Sequence, residues 1–420
     1  MELGKYSMGV GDRFGFECAA QLRAVQRAAA SGIRIVPVWN KSNREHLIAG
    51  TVPEDARSAA DEAVEKCGWE DSYYVDADHI ELKTVDPFIP CSDYYTIDLA
   101  EYIGKPASRG SEAGFIAAMK PYRGSLRIPE MQATPELTDS ALADFARTYL
   151  YAIEEAGKVY RHIASKKGPE NFVTEVSADE AQHSQSPVEL LLILAALAHE
   201  RIPVQAIAPK YAGSFLKGID YVGDPDQFIK EFRDDLAVLA FAAKNFALPQ
   251  NLKLSIHTGS DKFTLYPLIH RAIKDMNTGI HLKTAGTTWL QEAAGMAASG
   301  GAGLDFAKEI YKESFRRCDD LCRPYLAVIN IDKNRLPSPA EVDSWSPEEF
   351  VQALQHDRSC PRYNLHFRQL LHVGFKVAAE KKARFTEMLL EYRGAIEKNV
   401  TRNLYENHIR PLYLGPHSAS

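Results

Sequence analysis

Short apolar segments alternate with longer stretches of helical periodicity along most of this 420-residue chain, and that alternation limits the fold more than any other feature. Parallel strands cannot be joined by a tight turn. They need a crossover, usually a helix, and become buried on both faces. The pattern therefore predicts an α/β chain with a parallel sheet. Strands are expected over Tyr6–Gly11, Ile33–Asn40, Ser72–Ile80, Phe172–Ser177, Val204–Ala208, Leu252–His257, Gly279–Thr284 and Leu370–Val377. Helical patterns fall over Glu17–Ala30, Pro53–Lys66, Ser140–Ala164, Pro187–Glu200, Gln227–Asn245, Phe263–Met276 and Asp305–Arg317. Eight strands with intervening helices imply a closed (β/α)8 TIM-type barrel. A doubly wound open sheet competes, but no GxGxxG follows the first strand.

Two stretches do not fit the alternation. Residues Thr84–Asp139, rich in Pro, Tyr and Gly, read as a lid or small subdomain after the third strand. Residues Leu326–Leu365 carry Pro337, Pro339, Pro347 and Pro361 and read as a second insertion before the eighth. The organisation expected is one barrel domain over 1–415, with insertions at 84–139 and 326–365 and a tail at 416–420.

A formal charge of −7 offers no global basic field, which argues against a nucleic-acid partner. The longest apolar run, Leu190–Ala198, is too short to span a bilayer. Six scattered cysteines include no CxxC pair, and Cys318 and Cys322 read as packed thiols. With no apolar leader near the N-terminus, the expectation is a reducing, cytoplasmic location.

Polar side chains recur on alternate faces of several expected strands. In LKLSIH, Lys253, Ser255 and His257 share a face; in GIHLKT, His281 and Lys283 do; in FVTEVS, Glu175 and Ser177 do. On the expected eighth strand, His372 and Lys376 do. Turning the apolar faces toward the helices points His257, His281, Lys283 and His372 into the barrel; Glu175 is placed inward too, because a carboxylate under the helix layer would be harder to satisfy. Buried polar groups need partners or a metal. A lone buried histidine is usually a satisfied core residue, but several converging from different strands favour a site at the C-terminal rim.

The third strand ends in Asp76, Asp78 and His79. An adjacent carboxylate and imidazole can serve as general base and metal ligand, or Asp78 can simply cap a turn. His79, His257 and His281, with Glu175 as an added donor, would suit a divalent transition metal such as Zn, Mn, Fe, Co or Ni. Asp12 and Arg13, Asn40 and Lys41, Lys210 and Lys262 sit near strand ends and, with Lys283, could clamp carboxylate and hydroxyl groups, or be solvated loop charges. A Schiff base at Lys283 or Lys210 is the competing use of those amines.

The segments YSMGVGDRFG, VPVWNKSNRE, YYVDADHI, EVSADE, SPVELLLILAALA, PVQAIAPKYAG, LKLSIHTGSDKF, GIHLKTAGTTWL and LLHVGFKVAAE resemble the tagaturonate/fructuronate epimerase family, in order, from Tyr6 to about Gly415. The resemblance implies a barrel fold, a divalent metal and interconversion of two keto-hexuronates. It implies Asp78 and Glu175 as acid/base groups and His79, His257 and His281 as metal ligands; His183 receives no role. The epimers differ at C4, β to the C2 ketone, where simple enolisation cannot act. A retro-aldol opening of C3–C4, rotation of the aldehyde and reclosure would invert C4. Transient oxidation at C4 would need a dinucleotide fingerprint that is not visible. Another metal-dependent sugar isomerase or aldolase, or a non-catalytic sugar-acid binding protein, would share the same polar rim.

Overall fold

The computed structural model describes residues 1–131, 133–284 and 287–415. Eight parallel strands close a barrel: β1 Tyr6–Gly11, β2 Val36–Ser42, β3 Tyr74–Ile80, β4 Tyr94–Asp98, β5 Val173–Ser177, β6 Ala206–Ala208, β7 Lys253–His257 and β8 Ile280–Lys283. Each pairs with its sequence neighbours, and β1 closes the ring on β8 with Ser7 opposite His281. The barrel helices are α1 Cys18–Ala30, α2 Pro53–Cys67, α3 Tyr151–Lys167, α4 Pro187–His199, α5 Pro225–Asn245, α6 Tyr266–Asp275 and α7 Thr287–Ala298. Between β3 and β4 the crossover carries only a 3-10 turn, Asp86–Phe88.

The expected fold class holds, but one strand is exchanged for another. Leu370–Val377, expected as the eighth strand, is helical, split between Leu365–Val373 and Phe375–Glu380. Asn364 caps the first of these, accepting from the backbone N–H of His366 and Phe367, and the buried Phe367, Leu370 and Leu371 follow helical spacing. The same residues also fit a period of two, and the cap decides between the readings. The missing strand is β4, inside the stretch read as a lid. Tyr94 and Thr96 face the barrel interior while Tyr95 and Ile97 join the core under the helices. Aromatic and β-branched residues suit such a doubly buried strand. Beyond Asp98, the rest of this stretch holds a helix, Arg109–Ala118, and a short antiparallel ribbon, Gly124–Ser125 with Glu136–Leu137, ahead of α3.

The barrel floor is apolar: Leu3, Val38, Tyr74, Tyr94, Val173 and Ala206 form their own buried cluster. The main core lies between strands and helices. Leu190 to Leu197 of α4 are buried on every side, because the helix packs on the barrel and on α5. Each such side chain contributes about 1.5–3 kcal/mol on burial. Ser186 starts α4 with a reciprocal capping box to Glu189.

Helices from Gly301 to Asn403 build a second core around Phe306, Tyr311, Phe350, Phe367 and Phe385, packed on α7. Leu365–Glu380 of this block meets the barrel near Arg13 and Gly218. The chain then returns through a π-helical stretch, Leu404–Leu414, and Tyr413 donates to the Ser7 carbonyl at 2.9 Å. Among the described residues no helix is long and apolar enough to cross a membrane.

Gly9 decides whether the interior can hold a long side chain. A Cβ there would stand 2.7 Å from Lys283 Cγ and 3.3 Å from His281 Nε2. Gly9→Ala is expected to lower stability by about 1–3 kcal/mol through overpacking, read from the denaturant midpoint. Gly394→Ala, with nothing within 4 Å of the new carbon, should leave that midpoint unchanged or slightly higher.

Candidate active site

The inner faces of β3, β4 and β5 meet on one amine from β8. Lys283 Nζ, from β8, crosses the barrel to lie 2.7 Å from Asp76 Oδ2 and 2.9 Å from Asp78 Oδ1. It also donates to Thr96 Oγ1 and sits 3.6 Å from Glu175 Oε1. Burial alone would lower this amine, but Asp76, Asp78 and Glu175 outweigh it and hold Lys283 as a firm cation. Glu175 is fully buried, accepting from Tyr94 Oη, from Ser255 Oγ at 3.0 Å, and lying 2.5 Å from His257 Nε2. Burial opposes its charge; Lys283 and His257 overcome this and keep it ionised.

Asp76 and Asp78 share the same amine but differ in state. Burial raises Asp76 to about 7, only partly countered by Lys283, with Asp78 and Glu175 adding repulsion. Asp78 also feels burial, yet Lys283, His79 and His257 hold it well below the usual carboxylate range. Two neighbouring carboxyls are thus driven apart, the arrangement that separates acid from base.

Strict alternation would aim Asp78 inward and its neighbour His79 outward. The β3–β4 register shifts between Ala77 and Ile80, and His79 adopts φ 53°. This bulge turns both side chains toward the mouth. A non-glycine residue in that region is strained by roughly 1–3 kcal/mol, a cost tolerated most often at functional sites. His79 Nδ1 is 2.9 Å from Asp78 Oδ1 and its Nε2 is 3.1 Å from Asp179 Oδ1. His257 Nδ1 lies 3.1 Å from Asp179 Oδ2, so Asp179 stands between the two imidazoles.

His79, Asp179 and His257 each offer a donor atom, and these lie within 4.8 Å of one another. Nitrogen and carboxylate donors of this kind suit a divalent transition metal. Burial lowers both imidazoles, but the carboxylates prevail: Asp78 and Asp179 raise His79 well above its ordinary value, and Asp179 with Glu175 raises His257 to about 9.

Asp179 went unassigned in the sequence because it belongs to no strand. It follows β5 by two residues, in the Ser177-Ala178-Asp179 turn, and the Ser177 hydroxyl donates to it. A carboxylate just past a strand that carries Glu175 was the available signal. His281, expected with the ligands, lies outside this group: its Nδ1 is 2.8 Å from Ser7 Oγ, its ring stacks on Tyr94, and burial pushes it down to about 3. His281 Nε2 has no hydrogen-bond partner.

The expected clamp residues divide sharply. Lys41 Nζ is fastened to the Arg13 carbonyl at 2.7 Å and Thr51 Oγ1 at 2.8 Å. Lys262 Nζ is buried on the Leu216, Ile219 and Asp261 carbonyls, and burial lowers it to about 7. Lys210 Nζ donates to the Ala181 carbonyl. Asp12 accepts from the backbone N–H of Phe14, Gly15 and Glu17, shaping the start of α1. These four hold loops in place. Asn40 differs: it is 2 % exposed, and neither amide atom has a partner. Arg13 is buried beside Glu45 at 3.1 Å, with Nη1 unpartnered. His372, expected on a strand face, instead comes from the helix Leu365–Val373 and meets Arg13 Nη2 at 3.4 Å.

A family model described as tagaturonate epimerase matches residues 1–412. A tagaturonate/fructuronate epimerase of Thermotoga maritima is 25% identical over 383 residues, covering 88% of this chain and 72% of that protein. Two crystal structures of fructuronate-tagaturonate epimerase from Cohnella laeviribosi share the fold. The native one has a TM-score of 0.78 at 22% identity, covering 97% of this chain and 81% of that one. The form with one glycerol has a TM-score of 0.77 at 23% identity, covering 96% and 81%.

Lys283→Met would leave Asp76, Asp78 and Glu175 facing one another without their shared cation. Breaking a buried pair in this way costs about 3–5 kcal/mol, the loss expected in chemical unfolding. A loss below about 1 kcal/mol would mean that the cluster relaxes by taking up water or protons.

Proposed function

This chain belongs to the tagaturonate epimerase family, and we propose that it inverts C4 of a keto-hexuronate, interconverting D-tagaturonate and D-fructuronate by retro-aldol cleavage and reclosure with a divalent transition metal held by His79, Asp179 and His257. The observation that carries this reading is the convergence of those three donors at the barrel mouth, directly beside Asp78 and Lys283. The ion would supply Lewis-acid polarisation of the substrate's oxygens.

The remaining work falls to side chains. Asp78 is ionised and at the end of its strand, so it is the group in the correct state to accept the C4 hydroxyl proton. Loss of that proton drives the C3–C4 electron pair toward the C2 carbonyl and leaves an aldehyde at C4. After rotation, the same bond reforms on the opposite face, and Asp78 returns its proton to the C4 oxygen. Lys283 stays charged throughout and stabilises the negative charge that develops beside it. Glu175, expected as a second acid/base group, has its oxygens engaged by Tyr94, Ser255 and His257. We assign it to orienting His257 and anchoring Lys283.

Metal loading must displace protons. His257, raised to about 9, and His79 are both protonated at neutral pH before the ion binds. Titration calorimetry at pH 7 in buffers of different ionisation enthalpy should record proton release, and affinity should fall as pH falls. Exhaustive chelation should abolish activity, restored by a divalent transition metal. His257→Ala should lose both metal and turnover. Full activity in protein shown to be metal-free would refute the assignment.

Asp78→Asn should bind metal but lose kcat by about 10²-fold or more, the range for acid–base groups. In D2O the product should carry no deuterium at C4, because that hydrogen never leaves its carbon in the retro-aldol route. Stoichiometric label at C4 would exclude it.

A further inference from the structure

Four basic side chains, from the segments after β1, β2 and β6 and from the helical block, gather with a single carboxylate paired among them. Arg13 follows β1; Lys217 lies in the loop after β6; Lys376 comes from the helix Phe375–Glu380; Arg44 stands exposed at the outer edge. Lys217, Lys376 and Arg44 all lie over the ring of Tyr325, at 5.8, 4.6 and 5.6 Å from its centre. Glu45 pairs with Arg13 alone at 3.1 Å, and among the described residues Lys217, Lys376 and Arg44 form no ion pair. Cations gathered this way repel one another unless an anion joins them.

Polar groups on the same elements are also unsatisfied. Arg13 is 7 % exposed and its Nη1 has no partner, though its guanidinium is fixed by Glu45, His372 and the Phe375 ring, 4.0 Å away. Both amide atoms of Asn40, at the inner end of β2, are bare. His372, 1 % exposed, keeps Nδ1 unpartnered. Buried polar atoms are almost always bonded, and such a concentration of exceptions marks a place where a ligand completes the set. Asn40 stands opposite Asp76 in the β2–β3 register, one strand from the carboxylates that hold Lys283.

We propose that Arg13, Lys217 and Asn40 form the subsite for the substrate's carboxylate, completed by the helical block that supplies His372. The identity of the anion rests on the keto-hexuronate reading above; the subsite itself rests on the cluster. One carboxylate oxygen takes the free Arg13 Nη1 and the Asn40 amide, and the other faces Lys217. Guanidinium with amide fixes the anion's orientation, while the lysine adds charge. The amines of Lys41, Lys210 and Lys262 each already donate to a backbone carbonyl, whereas that of Lys217 does not among the described residues.

Lys217 is half-buried and makes no side-chain hydrogen bond among the described residues, so Lys217→Met should fold normally, which its thermal midpoint would verify. The measurements are the calorimetric Kd for D-tagaturonate and the KM for D-tagaturonate and for the neutral ketose D-tagatose. Lys217→Met is expected to raise Kd and KM for tagaturonate by about 30-fold, as for loss of one charge-assisted contact. The values for tagatose should change less than about 3-fold, and Lys217→Arg should recover most of the loss. Arg13→Gln should act in the same sense, with the lysine variant carrying the test if it fails to fold. Unchanged tagaturonate binding in Lys217→Met, or equal losses for acid and neutral sugar, overturns the subsite. A wild-type protein that binds tagaturonate through Lys217 without epimerising it keeps the subsite and overturns the functional reading instead.

Discussion

Lys283 cannot sit in the middle of a barrel without the carboxylates around it, and they cannot sit there without Lys283. The amine touches Asp76 and Asp78 on β3, Thr96 on β4 and approaches Glu175 on β5. Each isolated charge would be expelled from such an interior, because desolvation exceeds what any single hydrogen bond returns. Together they bind one side of the barrel to the other through its axis. Gly9 leaves the space, and a buried apolar cluster lies below. An ordinary barrel fills this level with Val, Ile and Leu. Here stability is exchanged for a fixed electrostatic field just beneath the mouth.

That field explains the differing states of similar groups. Asp78 and Asp76 are alternate residues of one strand, yet one is held ionised and the other drawn to about 7. His257 and His281 are inward residues of adjacent strands, yet one is raised to about 9 and the other lowered to about 3. The divergence follows depth and neighbours. His281 lies low, beside Ser7 and the Tyr94 ring, with burial uncompensated; His257 lies near Asp179 and Glu175 at the rim.

The second core, from Gly301 to Asn403, gives the rim its other half. It brings His372, Phe375 and Lys376 against Arg13, so the cationic side of the mouth is built from segments more than 350 residues apart in the chain, as the separation of 359 between Arg13 and His372 shows. The donors of the proposed metal site thus come from the barrel, its bulge and the turn after β5, while the cationic cluster includes residues of a block packed on α7.

The sequence by itself determined the parallel α/β barrel, because alternating periods of two and 3.6 carry the burial pattern directly. It also made the inward faces of His257 and Lys283 legible through alternation, and that of Glu175 through the cost of a carboxylate beneath the helices. It did not separate Leu370–Val377 as helix from strand, since eight residues satisfy both periods and only the Asn364 cap distinguishes them. It hid β4 within a stretch whose Pro and Gly content resembles a lid. Tertiary structure alone decided the site's membership. The bulge at His79 breaks the alternation on which any face assignment depends. Asp179 enters from a turn whose direction no local period encodes, and the amines of Lys41, Lys210 and Lys262 meet backbone carbonyls that no local pattern announces. Periodicity reports the environment of a residue along its own element; which residues from different elements share one ion or one proton is fixed only when the barrel closes.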